Sequence, residues 1–375
     1  MSEWKEYKLG DLTIDGKGSY GIAAPAVEYD ANKYTYLRIT DINDDGTINK
    51  NGLKSVDDKN ASNYLLKPND IVFARTGASV GRSYFYDGRD GELVYAGFLI
   101  KYSLDSTKVN PKLLKFYTHS QVYYDWIQTV DNGATRGNIN AQTYASMPVL
   151  LPDRNKQDEI VSILSSLDDK IDLLNRENAT LEAMAETLFR QWFIEDAKED
   201  WEEVTLEDVA LLNAGGDKPK IVSQNRTKEL NVPIYSNGID NEGLYGYTDK
   251  PRITEESVTI SARGTIGYVA LRTAPFVPIV RLITIRPKER VTSKFLYFWA
   301  KSQDINGTGT TQQQLTVPDF KLTKLVLPDK AVIDDFTKIV NQYYDKIISN
   351  KKQIQTLIYT RDGLLPKLMS NEISI

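Results

Sequence analysis

The stretch LPDRNKQDEIVSILSSLDDKIDLLNRENATLEAMAETLFRQW, residues 151–192, decides the fold, because much of it is written again near the end of the chain. Leu151-Pro152-Asp153 recurs as Leu327-Pro328-Asp329, and Asp169-Lys170-Ile171 recurs as Asp345-Lys346-Ile347, both at an offset of 176 positions (327 − 151). Apolar residues fall at Ile160, Leu164, Leu167, Ile171, Leu174, Leu181, Leu188 and Trp192, in alternating steps of four and three, with Asn178 and Ala185 in the remaining slots. That spacing predicts a long helix with a coiled-coil seam. The second copy gives Phe336, Val340, Tyr343, Ile347, Ile354, Leu357, Leu364 and Leu368, interrupted by Asn350 and Arg361.

The polar interruptions select an orientation. In an antiparallel pair at full overlap Ile160 faces Leu368, Trp192 faces Phe336, Asn178 faces Asn350, and only Arg361 against Leu167 fits poorly. A parallel pair by homology sets each asparagine against an aliphatic residue, leaving two buried amides without partners. The expectation is therefore an antiparallel intramolecular pair; packing of each helix on its own module, or pairing with another chain, is the alternative. Thirty-three residues from Ile160 to Trp192 at about 1.5 Å each make a rod of about 50 Å.

The segments preceding the helices also open alike, with Trp4, Leu9 and Asp11 against Trp201, Leu206 and Asp208. The expected organisation is a recognition module at 1–152, a spacer helix at 153–196, a second module at 197–328 and a second helix at 329–375. The fold class is α+β: two α/β modules in pseudo-twofold arrangement, joined by an antiparallel coiled coil. In the first module Thr35–Ile39, Asp70–Ala74 and Phe98–Tyr102 have strand character, and Asn110-Pro111 marks a helix start. Val258–Gly267 and Ser293–Trp299 repeat the second strand and that helix.

Composition narrows the chemistry. The 375 residues contain no cysteine and one histidine, so disulfides and thiolate sites are excluded and zinc chemistry is disfavoured. His119 is expected to be a packed or helix-surface residue. No apolar run approaches the ~20 residues needed to span a bilayer, which points to a soluble, cytoplasmic protein with no membrane partner. The net charge of −5 is concentrated between residues 151 and 200, which hold 6 basic and 13 acidic residues. The modules are near neutral, a balance that neither demands nor forbids DNA.

Each module ends in a polar, glycine-bearing loop just before its helix: Asn132–Asn140, and Gly307–Leu315. Arginine bonds guanine bidentately and asparagine or glutamine does the same for adenine, so Thr135, Arg136 and Asn138 in one loop, and Thr311, Gln312 and Gln313 in the other, are candidate base readers. Arg75-Thr76 and Arg263-Gly264-Thr265 lie in glycine turns suited to phosphate contact or to turn geometry alone. Arg38 and Asn237 complete the candidate DNA-binding set.

The ordered duplication of these features resembles the DNA-specificity subunits of Type I restriction-modification systems. The Trp-x-x-x-x-Leu-x-Asp opening, the Gly-x-Thr-(Arg/Gln) loop, the Leu-Pro-Asp helix entry and Leu188-Phe189-Arg190 carry the resemblance across nearly the whole chain. It implies two target recognition domains, each reading half of a bipartite double-stranded DNA site, held by helices that dock two methyltransferase subunits, with an endonuclease-translocase subunit completing the assembly. S-adenosylmethionine and ATP then belong to those partners, and this chain binds no cofactor or metal and has no catalytic residue. The acidic residues Asp158, Glu159, Asp168, Asp169 and Asp172 form either a solvated face or a methyltransferase dock. Two departures stand out. Arg154 and Lys330 follow the helix-entry aspartates where relatives often carry proline, with the helix start expected to survive. Pro366 puts the last turn of the second helix in doubt because it lacks an amide donor.

An adenine methyltransferase needs an Asn/Asp-Pro-Pro-aromatic loop, which Asn110-Pro111-Lys112-Leu113 does not supply. No Gly-x-x-x-x-Gly-Lys-(Ser/Thr) is present for ATP. The remaining alternative is a dimeric DNA-binding regulator whose coiled coil joins two chains.

Overall fold

The computed structural model describes residues 4–131, 138–305, 314–369 and 372. The chain divides into two compact units: Met1–Leu173 with Gln353–Ile375, and Leu174–Lys352. Each unit therefore takes part of both long helices, Arg154–Arg190 and Lys330–Met369.

The two units repeat one topology. Unit 1 has a four-stranded antiparallel sheet with Asp70–Ala74 between Leu99–Ser103 and Ser83–Tyr86, and Ser19–Tyr20 on the outer edge. A second sheet pairs Thr35–Leu37 in parallel with Leu93–Tyr95, and Lys5–Lys8 pairs antiparallel with Pro148–Leu151. Unit 2 repeats this plan with three strands instead of four in its second sheet: Ser257–Ile260 lies between Ile283–Pro287 and Val269–Arg272, Val232–Tyr235 runs parallel to Val277–Pro278, and Glu202–Thr205 pairs with Lys324–Leu327. The central strands are buried at every position; Asp70–Ala74 reads as an apolar run after its aspartate, while Ser257–Ile260 alternates, with the Ser257 and Thr259 hydroxyls bonded to the Glu255 and Ala270 carbonyls. The helix predicted after Asn110 spans Pro111–Tyr117, and the Asn110 side chain accepts from the Lys112 amide at 3.1 Å.

The long helices begin where the repeated Leu-Pro-Asp ends. Asp153 caps the first by accepting the Lys156 amide at 3.1 Å, which supplies one of the donors that the opening turn leaves unpaired. Within unit 1, Ile160, Leu164, Leu365, Leu368 and Met369 enter one core with Leu9, Phe73, Tyr102 and Tyr144. Pro366 does not end the second helix, which continues to Met369. Burial of Leu365, Leu368 and Met369 offsets the amide that proline lacks, and the carbonyl it deprives belongs to the exposed Asp362. Within unit 2, Ala185, Phe189 and Phe193 pack with Ile333, Phe336 and Val340, and Trp192 meets Phe336 at 6.4 Å between ring centroids. The helices thus run antiparallel, and each helix section also joins the core of its own unit.

In unit 2 the two asparagines meet. Asn350, 1% exposed, donates from Nδ2 to Asn178 Oδ1 at 2.9 Å and to Glu177 Oε2 at 2.9 Å. Replacing Asn178 alone by leucine is expected to cost about 1–3 kcal/mol, since it removes one of the two acceptors of a buried amide. Replacing both by leucine should recover most of that loss, because no buried amide is then left short of a partner and Glu177 keeps Lys346. A double-mutant cycle from chemical denaturation measures the coupling; strictly additive losses would show that the amides do not act as a pair.

Arg361, the poor fit of the seam, is held by a carboxylate. In unit 1 its Nη1 donates to Asp168 Oδ1 at 2.9 Å while Lys115 Nζ donates to Oδ2 at 2.6 Å. The other acidic residues of that face are also engaged: Asp158 by Asn110 and Arg154, Asp169 and Asp172 by Arg89, and Glu159 by Lys156 at 3.8 Å. Inside unit 1, Asp158, Asp168, Asp169 and Asp172 fasten the helix to neighbouring segments, whereas Glu159 pairs within its own helix. His119 is half-buried, its Nδ1 2.7 Å from the Lys115 carbonyl, and desolvation holds its pKa below the ordinary value. Among the described residues no helix is long and apolar enough to cross a membrane.

Candidate nucleic-acid interface

In both units the central strand is followed, within three residues, by an arginine that grips the stem of the polar loop. In unit 1 Asp70–Ala74 delivers Arg75, whose Nε and Nη2 donate to Asn138 Oδ1, both at 3.2 Å. The guanidinium lies 4.9 Å above the Tyr20 ring, and Thr76 forms a β-bridge with Asn138. The Ile139 amide donates to the Arg75 carbonyl at 2.9 Å, and the Ile139 side chain is 2% exposed. Asn140 then caps the short helix Ala141–Ala145, accepting from the Thr143 amide at 2.9 Å.

Unit 2 builds the same arrangement with different residues. Past Ser257–Ile260, Arg263 donates from Nε and Nη2 to Gln314 Oε1 at 3.1 and 2.8 Å. The Leu315 amide donates to the Ala262 carbonyl at 3.0 Å, Leu315 is buried, and Thr316 caps Val317–Phe320. An amide residue, a buried aliphatic and a helix cap follow one another in both units, as Asn138-Ile139-Asn140 and Gln314-Leu315-Thr316. A planar guanidinium sharing one carboxamide oxygen fixes the direction of the loop stem more firmly than a lysine can.

The turns after these arginines need glycine. Gly77 and Gly264 have φ of 72° and 70°, a region that costs other residues energy. Thr265 lies in the second of these turns, its amide donating to the Arg263 carbonyl at 2.8 Å.

Of the candidate residues, the structure gathers Arg75, Thr76 and Asn138 at one stem and Arg263 and Thr265 at the other. Asn237 stands beside the second stem: its Oδ1 accepts from the Ala262 amide and its Nδ2 donates to the Val280 carbonyl, both at 2.7 Å. Arg38 is engaged elsewhere, in a bidentate pair with Asp41 at 2.8 and 2.6 Å and a contact to the Gly52 carbonyl at 3.1 Å. The Asp41 hydrogen bond raises the Arg38 pKa further, and the pair closes a local turn. Thr135, Arg136, Thr311, Gln312 and Gln313 lie outside the described residues.

Two participants escaped the sequence reading. Tyr20, 42% exposed, supports the Arg75 guanidinium, and its hydroxyl oxygen accepts from the Ala141 amide at 3.1 Å. Gln314 belongs to the polar loop by sequence and is the Arg263 clamp in the structure. The repeated order of amide, aliphatic and cap residue is the signal that marks Asn138 and Gln314 together.

The arrangement presents side-chain donors beside the end of the central strand, at the point where the polar loop rejoins the fold. A family model described as Type I restriction modification DNA specificity domain matches residues 1–183 and again 198–359. The chain is similar to the Type I restriction enzyme HindI specificity subunit of Haemophilus influenzae, 23% identical over 475 residues and covering 100% of each chain. It is also similar to a putative type I specificity subunit of Mycoplasma pneumoniae, 29% identical over 244 residues, covering 61% of this chain and 67% of the other. Among solved structures, the S subunit of a Type-I restriction-modification system from M. genitalium matches with a TM-score of 0.54 at 17% identity, covering 98% of this chain and 96% of that one. With one family model matched twice along its length, the chain belongs to the Type I restriction modification DNA specificity domain family.

Proposed function

We propose that this chain is the DNA-recognition subunit of a Type I restriction-modification complex, each unit reading one half of a bipartite site. The observation that carries the proposal is the duplicated stem: one arginine–carboxamide clamp on one scaffold, with different residues in it and in the loop it holds. Equal scaffolds with unequal loops suit two readers of unequal sequences. The chain acts by binding; methyl transfer with S-adenosylmethionine, and ATP-dependent translocation and cleavage, belong to partner subunits. Two methyltransferase subunits dock on the helices, and the paired helices set the gap between half-sites.

The test is to express the chain with its methyltransferase subunit and map the methylated sites by sequencing. Arg263→Ala releases the second stem only, so discrimination in one half-site is expected to fall by about 1–3 kcal/mol while the other half is read as before. Equal relaxation of both halves would defeat the modular assignment. A heptad inserted in both helices adds about 10.5 Å, roughly three base pairs at about 3.4 Å per step, and an unchanged gap would remove the spacing role. A dimeric regulator instead predicts self-association without the methyltransferase, which size-exclusion chromatography resolves.

A further inference from the structure

Beside each arginine clamp, a tight turn leads into the sheet strand next to the central one. In unit 1 it is Ala96-Gly97-Phe98, ahead of Leu99–Ser103; in unit 2 it is Ile279-Val280-Arg281-Leu282, ahead of Ile283–Pro287. The hydrogen bonds align the two. The Gly21 amide donates to the Leu99 carbonyl at 3.2 Å, and the Gly215 amide to the Leu282 carbonyl at 2.8 Å. Parallel bridges join Ile22 to Ala96 and Gly216 to Ile279. Each turn crosses tightly over a glycine: a Cβ on Gly21 would lie 2.2 Å from the Ala96 carbonyl oxygen, and one on Gly215 2.8 Å from the Ile279 nitrogen. In this alignment Phe98 and Arg281 occupy the same position.

Both residues are displayed where a folded chain gains nothing from them. Phe98 is 60% exposed, and its carbonyl accepts the Arg75 amide at 3.1 Å, so the turn is bonded directly to the clamp. Arg281 is exposed and, among the described residues, its side chain has no ion pair or hydrogen bond. Its backbone is strained: Val280 and Arg281 have φ of 52° and 61°, a conformation that a β-branched residue seldom adopts. The turn is held there by Val280 and Arg281 amides donating to the Gly216 and Gly215 carbonyls, both at 2.9 Å. Asn237 adds its bond to the Val280 carbonyl and ties the turn to the residue before Arg263. Strain that the surroundings enforce is characteristic of ligand contacts. A second arginine, Arg252, lies over Gly216, its Nη1 3.3 Å from where a Cβ would stand.

We propose that Phe98 and Arg281 are a second, equivalent pair of specificity-determining residues, Phe98 packing on a thymine methyl in one half-site and Arg281 bonding a guanine edge in the other. The inference rests on the reading of the chain as a two-unit DNA reader. An exposed aromatic ring suits the thymine methyl group, the apolar feature of the major groove, and an unpaired guanidinium suits the O6 and N7 acceptors of guanine. One scaffold position thus carries opposite chemistries, as two readers of different bases require.

The experiment maps methylated sites for the whole complex carrying Phe98→Ala, Arg281→Gly or Arg281→Lys. Glycine relieves the left-handed backbone, so Arg281→Gly should keep the thermal midpoint or raise it. It should also lower discrimination for guanine at one position of the unit 2 half-site by about five- to 150-fold. Lysine keeps the charge without the planar fork, so Arg281→Lys should relax the same position. Phe98→Ala should relax a thymine position in the unit 1 half-site alone. An unchanged recognition sequence with Arg281→Gly overturns the proposal, as does a uniform loss of methylation across all sequences, which marks a phosphate contact. An unaltered complex that methylates no bipartite site would remove the functional reading itself, an outcome separate from these.

Discussion

Phe336→Ala is expected to destabilise unit 2 by about 3–5 kcal/mol, the range for removing a fully buried aromatic ring from a packed core. Phe336 is 0% exposed and sits at the hub of an aromatic cluster, with Phe189 at 5.9 Å, Phe193 at 5.1 Å, Phe298 at 6.0 Å and Trp192 at 6.4 Å between centroids. It joins the two long helices and the globular part of the unit at one point, since Phe298 lies on Ser293–Ser302. Phe336→Leu keeps most of the volume and should lose much less. Chemical denaturation monitored by tryptophan fluorescence reads both variants, Trp192 being a neighbour of the lost ring. A loss below about 1 kcal/mol for alanine would mean that the cluster closes over the gap and is no keystone.

Asp168→Asn should have the next largest effect, about 2–4 kcal/mol, somewhat less than for a fully enclosed ion pair because Lys115 keeps contact with water. The carboxylate side chain is 12% exposed and serves two cations, with Arg361 23% and Lys115 37% exposed. Asparagine neutralises the centre and leaves both cations with a weaker acceptor. Burial alone would raise the Asp168 pKa, but Lys115 and Arg361 outweigh it and the net shift is downward. A depressed folded pKa means the stabilisation is complete above the unfolded value, near about 4, and disappears as pH falls through the folded value. The stability gap between the wild-type protein and Asp168→Asn should therefore be constant near neutrality and shrink below about pH 4. A gap that persists to the lowest pH at which unit 1 stays folded would exclude the carboxylate charge as its source.

The long helices and their orientation were legible because both signals are local: a four-three spacing of apolar residues, and two asparagines that match only when the helices run oppositely. The first central strand was legible as the apolar run Ile71-Val72-Phe73-Ala74, and the second by its likeness to it. Pro366 shows where a local rule yields, since burial of Leu365, Leu368 and Met369 carries the helix past a residue that should end it. The clamps were half-legible. Arg75 and Arg263 stood out beside their glycines, but their partners lie 63 and 51 residues away, and only tertiary structure closes such distances. The acidic stretch of the first helix suggested a free face, yet Lys115, Arg89 and Arg361 come from remote segments to meet it. The left-handed turn at Val280-Arg281 was invisible, because valine is among the last residues that local preference assigns to it.

The composition of unit 1 has a consequence for biosynthesis. Ile160 and Leu164 share their core with Leu365 and Leu368, which are translated about 200 residues later, so at a ribosomal rate of about 5–20 residues per second they wait for the order of ten seconds or more. During that interval all of unit 2 emerges and is able to fold, while the earlier-made unit still shows an uncovered apolar stripe. Nascent chains halted at Lys352 should accordingly bind holdase chaperones through their oldest half, and full-length release should end that dependence.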